Sequence, residues 1–103
     1  MRQTAVLTAL SGLAQENRLK IFRALVQVGP DGMTAGKIAR KLKLAASAFS
    51  FHVAHLERAA LVNSTKQGRQ IIYSANYKTM NGLVVYLRKN CCAGSKCRTT
   101  SRS

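Results

Sequence analysis

The stretch TAGKIARKLKLAASAFSFHVAHLERAALV, Thr34 to Val62, holds two short helical patterns separated by a tight break. In the first, Ala35, Ile38 and Leu42 recur at helical spacing, with Thr34 placed as N-cap. In the second, Phe49, Val53, Leu56 and Ala60 mark one buried face. The opposite face carries Ser47, Ser50, Phe51, Ala54, His55 and Arg58. This spacing predicts a helix over 34–42, a turn through Lys43 to Ala46, and a second helix over 47–60, in the order of a helix-turn-helix. Serines suit a base edge or a phosphate, and an aromatic ring suits a thymine methyl. Alone, the pattern also fits an ordinary helical hairpin with a solvated outer face.

Charge and the sequence after Val62 favour the DNA reading. The 103 residues include 17 Lys and Arg against three acidic residues, a formal net charge of +14, on a chain that is 47% hydrophobic. A folded domain with that excess expects a polyanionic partner, and double-stranded DNA is favoured over an anionic membrane surface. Lys37, Arg40 and Lys41 crowd the first helix and read as phosphate contacts. After Val62 the period changes: Asn63 to Lys66 and Gln70 to Ser74 can pair across Gln67-Gly68-Arg69 as a basic hairpin whose Lys66 and Arg69 reach a flanking groove. The expected class is mostly α with a β-hairpin wing.

The flanks supply helices. Val6, Leu7, Leu10, Leu13 and Ala14 form one stripe, with a break expected near Ser11-Gly12. Leu19, Phe22, Leu25 and Val26 form another, with Arg18, Lys20 and Arg23 facing away, and Gly29-Pro30-Asp31-Gly32 stops that helix. A last helix over 76–89, capped by Asn76, shows Met80, Leu83, Val84 and Leu87 as a seam. Together with Val6, Leu7 and Leu10, that seam predicts a homodimer able to present two recognition helices to a palindromic operator. The plainer alternative is that the seam closes the monomer's own core. No apolar run is long enough to span a bilayer and no convincing signal peptide precedes the domain, so a cytoplasmic protein is expected.

The motifs LSGLAQENRLKIFRAL (Leu10–Leu25), SFHVAHL (Ser50–Leu56), ALV (Ala60–Val62) and QGRQIIY (Gln67–Tyr73) resemble the ArsR/SmtB family of winged helix-turn-helix metal-sensing repressors. The resemblance implies a homodimer that binds operator DNA when metal-free and releases it when an inducer binds. It also implies a packing or phosphate-contacting role for His52, with His55 beside the DNA. No metal role is assigned to either histidine. The chain departs from arsenic-sensing members that carry a Cys-x-Cys pair in the first helix of the motif, because TAGKIARKLKL has no cysteine.

All three cysteines, Cys91, Cys92 and Cys97, stand in the tail KNCCAGSKCRTTSRS. Three thiolates without a fourth ligand suit a pyramidal As(III) or Sb(III) centre better than zinc. The expected organisation is a DNA-binding and dimerisation domain over 1–90 and an inducer-binding tail over 91–103. A thiol-based redox or reactive-sulfur sensor of the same fold, a nonspecific DNA-binding protein and a bystander tail remain open. No nucleophile–base pair, paired-carboxylate site or phosphate-cradling glycine loop is identified, so neither an enzyme nor a catalytic cofactor is expected.

Overall fold

The computed structural model describes residues 1–94. Five α-helices and three strands follow in the order α1 (Gln3–Leu13), α2 (Glu16–Val28), β1 (Met33–Thr34), α3 (Ala35–Leu42), α4 (Ala46–Arg58), β2 (Val62–Gln67), β3 (Gln70–Ala75) and α5 (Tyr77–Arg88). A short turn over Cys91–Gly94 follows α5.

Local chemistry sets most of these boundaries. Thr34 accepts a hydrogen bond from the Lys37 amide, and Asn76 accepts one from the Thr79 amide, so both expected N-caps form. Gly29 ends α2 at φ +105°, a conformation that side chains disfavour. Gly32 has φ +76°, and a Cβ there would collide with the Tyr73 carbonyl. Only glycine lets the turn pass so close to β3.

The hairpin is tighter and longer than expected. β2 and β3 pair antiparallel from Val62↔Ala75 to Gln67↔Gln70, turning over Gly68-Arg69 with Gly68 at φ +62°. β1, which the sequence did not reveal, pairs with β3 to make a sheet of order β1-β3-β2. Its two residues are too short for an alternating pattern.

The core joins α2, α3, α4 and the sheet, with Ile21, Leu25, Ile38, Leu56, Leu61 and Val62 fully buried. Phe49 meets Tyr73 edge-on at 5.7 Å, fixing α4 on the hairpin. Burial, then the Glu57 carboxylate, pushes the Tyr73 phenol up. The same carboxylate accepts a 2.6 Å bond from the Ser64 hydroxyl, tying α4 to β2. The Tyr77 hydroxyl donates to the Val26 carbonyl at 2.9 Å, anchoring α5 on α2.

Three expected faces differ. In α1 the buried residues are Val6, Ala9 and Gly12, while Leu7 and Leu10 are exposed, and the helix ends after Leu13 rather than at Ser11-Gly12. Small residues are needed inside, since a Cβ on Gly12 would lie 2.9 Å from both Ala59 and Leu61. In α2 Leu19 is exposed and Arg18 is buried, the reverse of the expected faces. The Arg18 side chain turns in because it can donate to the Gly12 and Ser11 carbonyls at the end of α1. In α5 Leu83 is buried and Met80 packs on the core, whereas Val84 and Leu87 are exposed. Val6, Leu83 and Met80 therefore serve the core of one subunit. Leu7, Leu10, Val84 and Leu87 remain as the part of the expected dimer surface that a partner can reach.

Candidate nucleic-acid interface

The break between α3 and α4 depends on Lys43, whose left-handed backbone at φ 58° ends α3 and redirects the chain. Leu44 returns its amide to the Ala39 carbonyl at 2.9 Å, closing the turn. Phe49, Val53 and Leu56 then bury one side of α4. That leaves Ser47, Ser50 and Phe51 exposed on the other side, Phe51 at 65% of its full surface. An exposed aromatic ring on this face is a suitable apolar contact for a thymine methyl.

The start of α4 has no side-chain cap and no acidic residue in its first turn. Its amides are left for an anion, and the helix dipole favours a phosphate there. Lys37, Arg40 and Lys41 are exposed along α3. Arg40 and Arg69 share a cleft of about 380 Å³ with Thr34, Gly36, Gln70 and Ile71, which brings the wing beside the start of α3. Lys66 is exposed on β2, near the hairpin turn. Sequence spacing did not show that Arg40 and Arg69 converge, because their proximity comes from the β1–β3 pairing.

Two predicted contacts are set apart. His55 and Arg58 line a cleft against α1 with Leu7, Thr8 and Ser11, at the far end of α4 from Ser47. Burial first, and then the charges of Arg18, Arg58 and His52, lower the pKa of His55 from 6.5. His52 is half-buried with its ring edge-on to Phe51 at 5.4 Å, and its Nδ1 is buried without a hydrogen-bond partner. That placement fits packing of the Phe51 ring.

At the other end of the chain, the Cys91 and Cys92 sulfurs lie 3.4 Å apart and exposed. The third predicted ligand, Cys97, lies outside the described residues. Among the described residues no group of three metal-ligating side chains converges, and no helix is long and apolar enough to cross a membrane.

A two-helix reader with an adjoining basic hairpin defines a winged helix-turn-helix DNA-binding regulator, a class without catalytic machinery. Residues 13–65 match the family described as Helix-turn-helix domain. The chain is similar to the HTH-type transcriptional regulator YgaV of Escherichia coli, 30% identical over 81% of this chain and 82% of that protein. It is also similar to the transcriptional activator HlyU of Vibrio cholerae, 28% identical over 84% and 78%.

Solved structures agree. An ArsR-like transcriptional regulator from Rhodococcus superposes with a TM-score of 0.73 at 27% identity, covering 84% of this chain and 78% of that one. A possible transcriptional regulator for arsenical resistance gives 0.67 at 25%, covering 77% and 79%. The homodimeric winged helix-turn-helix domain Mb0332 of Mycobacterium bovis shares the fold at 0.68 and 19%, covering 93% and 89%. The chain belongs to the ArsR family of winged helix-turn-helix transcriptional regulators.

Proposed function

We propose that the protein is an arsenite-responsive repressor, working in the cytoplasm as a homodimer that binds operator DNA and dissociates when As(III) or Sb(III) is captured by Cys91, Cys92 and Cys97. The observation that carries this reading is the Cys91–Cys92 pair, with sulfurs 3.4 Å apart and only Lys89 and Asn90 between it and the end of α5. Three thiolates without a fourth ligand suit a three-coordinate pyramidal metalloid better than zinc, which takes four. Soft thiolates also select such an ion over the hard cations. The similarity to a possible regulator of arsenical resistance points the same way.

The chain's own residues divide the work. Phe51, Ser47 and Ser50 read bases, while Lys37, Arg40, Lys41, Lys66 and Arg69 hold phosphates. Cys91 and Cys92 follow shortly after α5, so a change in that segment acts on the exposed face formed by Val84 and Leu87. The tail over 91–103 is the inducer element and residues 1–90 are the reader.

The adjacent sulfurs favour a second reading, a redox or reactive-sulfur sensor, because a dithiol can also give up two electrons to a peroxide or persulfide oxidant. One experiment separates the two. Reduced protein on a palindromic operator probe is titrated with arsenite and, separately, with a persulfide donor, for the wild type and for Cys91→Ser, Cys92→Ser and Cys97→Ser. Release by arsenite that each serine variant weakens supports the repressor. Release by persulfide alone replaces arsenite with a sulfur signal, and unchanged arsenite release in all three variants rejects the thiol site.

A further inference from the structure

A cavity of about 580 Å³ lies between α1, the end of α4 and α5, with Met1, Thr4, Thr8, Arg58, Lys78 and Gly82 in its wall. Neither the DNA-reading surface nor the cysteines touch it. Local spacing builds it: Thr4 and Thr8 stand one turn apart on α1, Met1 precedes that helix, and Lys78 and Gly82 stand one turn apart on α5. Ala59 and Ala60 complete the wall where α4 ends, and their small side chains leave the space open. Gly82 does the same on α5, where a Cβ would lie 3.4 Å from the Met1 sulfur.

Its size falls within the roughly 300–1,000 Å³ of small-molecule sites. Methyl and methylene groups make most of its wall, and both charged residues in the wall are cations. Among the described residues the one ion pair is Lys20–Glu16, so neither Arg58 nor Lys78 is neutralised by a carboxylate. Cations left unpaired beside an apolar cavity complement an anion carrying an apolar body.

We infer that this cavity binds a small apolar carboxylate, aromatic or medium-chain, with its carboxylate between Arg58 and Lys78 and its body against α1 and Gly82. Arg58 belongs to the recognition helix and Lys78 to α5. An anion held by both would link the DNA reader to the helix pair that carries the exposed leucines and valines. The regulatory consequence rests on the reading of the chain as a DNA-binding regulator, whereas the binding itself does not.

Calorimetry with naphthoate, and with naphthalenemethanol as its uncharged counterpart, tests the site on the full chain. One naphthoate is expected per chain, bound about tenfold more tightly than the alcohol. Lys78→Gln is expected to weaken naphthoate about tenfold while leaving the alcohol unchanged, and Thr4→Trp, which fills the cavity from an exposed helix position, to abolish both. Equal affinity for acid and alcohol, or unchanged naphthoate binding in the two variants with native circular dichroism, overturns the inference. Naphthoate bound by a monomer but excluded from a dimer also overturns it, since a second copy would then occupy the cavity. A parallel anisotropy titration with operator DNA keeps the two readings distinct: a protein that binds naphthoate but no DNA refutes the regulator and leaves the site standing.

Discussion

The Arg18 guanidinium donates from Nε to the Gly12 carbonyl at 2.7 Å, closing the end of α1 with a side chain from α2. Its Nη2 reaches the Ser11 carbonyl at 3.3 Å. A cation at a helix C-terminus satisfies carbonyls that have no intrahelical donor and complements the negative end of the dipole. Arg18→Met keeps much of the stem but removes these donors. Hydrogen bonds from charged groups contribute about 1.5–3 kcal/mol. The melting temperature should therefore fall by roughly 6–24 °C, taking 4–8 °C per kcal/mol for a domain of this size. Arg18→Lys, with a single donor head, should recover only part of the loss.

That contact also shows where sequence reading stops. The caps at Thr34 and Asn76, the stop at Gly29–Gly32 and the hairpin were legible, since each follows from the backbone chemistry of a few neighbouring residues. On α2 the burial of Phe22 and Leu25 was legible too, but not that of Arg18, which turns inward because α1 ends beside it, nor the exposure of Leu19. Ser47, Ser50 and Phe51 could be assigned to one face from helical period alone. The separation of His55 and Arg58 from them depends on where α1 packs. The cavity beside α5 has no sequence signature, since it is the space left among three helices.

Two glycines should respond with opposite sign to alanine. At Gly12 the new methyl would lie 2.9 Å from Ala59 and Leu61, and overpacking costs about 1–3 kcal/mol against about 1 kcal/mol gained in helix propensity. At Gly36 the nearest atom is an Arg40 guanidinium nitrogen at 3.3 Å, the far end of a side chain that can swing away. Chemical denaturation should show Gly12→Ala destabilised and Gly36→Ala stabilised by up to about 1 kcal/mol. The same sign at both positions would contradict the packing of α1 on α4.

His55 should make the fold sensitive to mild acid. Burial first, then the Arg18, Arg58 and His52 charges, hold its pKa below 6.5 in the folded chain. The unfolded chain therefore binds the proton more readily, so this contribution to stability is present above pH 6.5 and is lost as the pH falls below it. His55→Gln should flatten that part of the stability profile. An NMR titration of the His55 ring should give a midpoint below 6.5 that rises in Arg18→Met.

Phosphate and base contacts should separate by salt. Arg40 and Arg69 border one cleft between α3 and the wing. Replacing either with alanine should weaken operator and random DNA alike, lowering the slope of log K against log salt by about 0.9 per lost contact. Phe51→Ala should instead reduce the preference for operator, with the slope and the melting temperature unchanged, because its ring is 65% exposed before DNA arrives. A slope that does not change in Arg40→Ala and Arg69→Ala removes the cleft from the interface.

The exposed apolar residues of α1 and α5 should hold two copies together. Leu7 is 57% exposed, and Val84, Val85 and Leu87 are 48%, 67% and 62% exposed, far more than their burial in one subunit explains. Apolar surface of this extent on the two terminal helices is stabilised when a second copy covers it, and a two-fold axis would then set two recognition helices on one face of the DNA. Val84→Glu and Leu7→Glu add a charge to that surface without entering the core, so each should sediment as a folded monomer that binds operator more weakly. Leu83→Glu buries the charge inside the subunit, where Leu83 is 7% exposed, and should prevent folding. A dimer that persists unchanged in both Val84→Glu and Leu7→Glu would move the subunit contact to another surface.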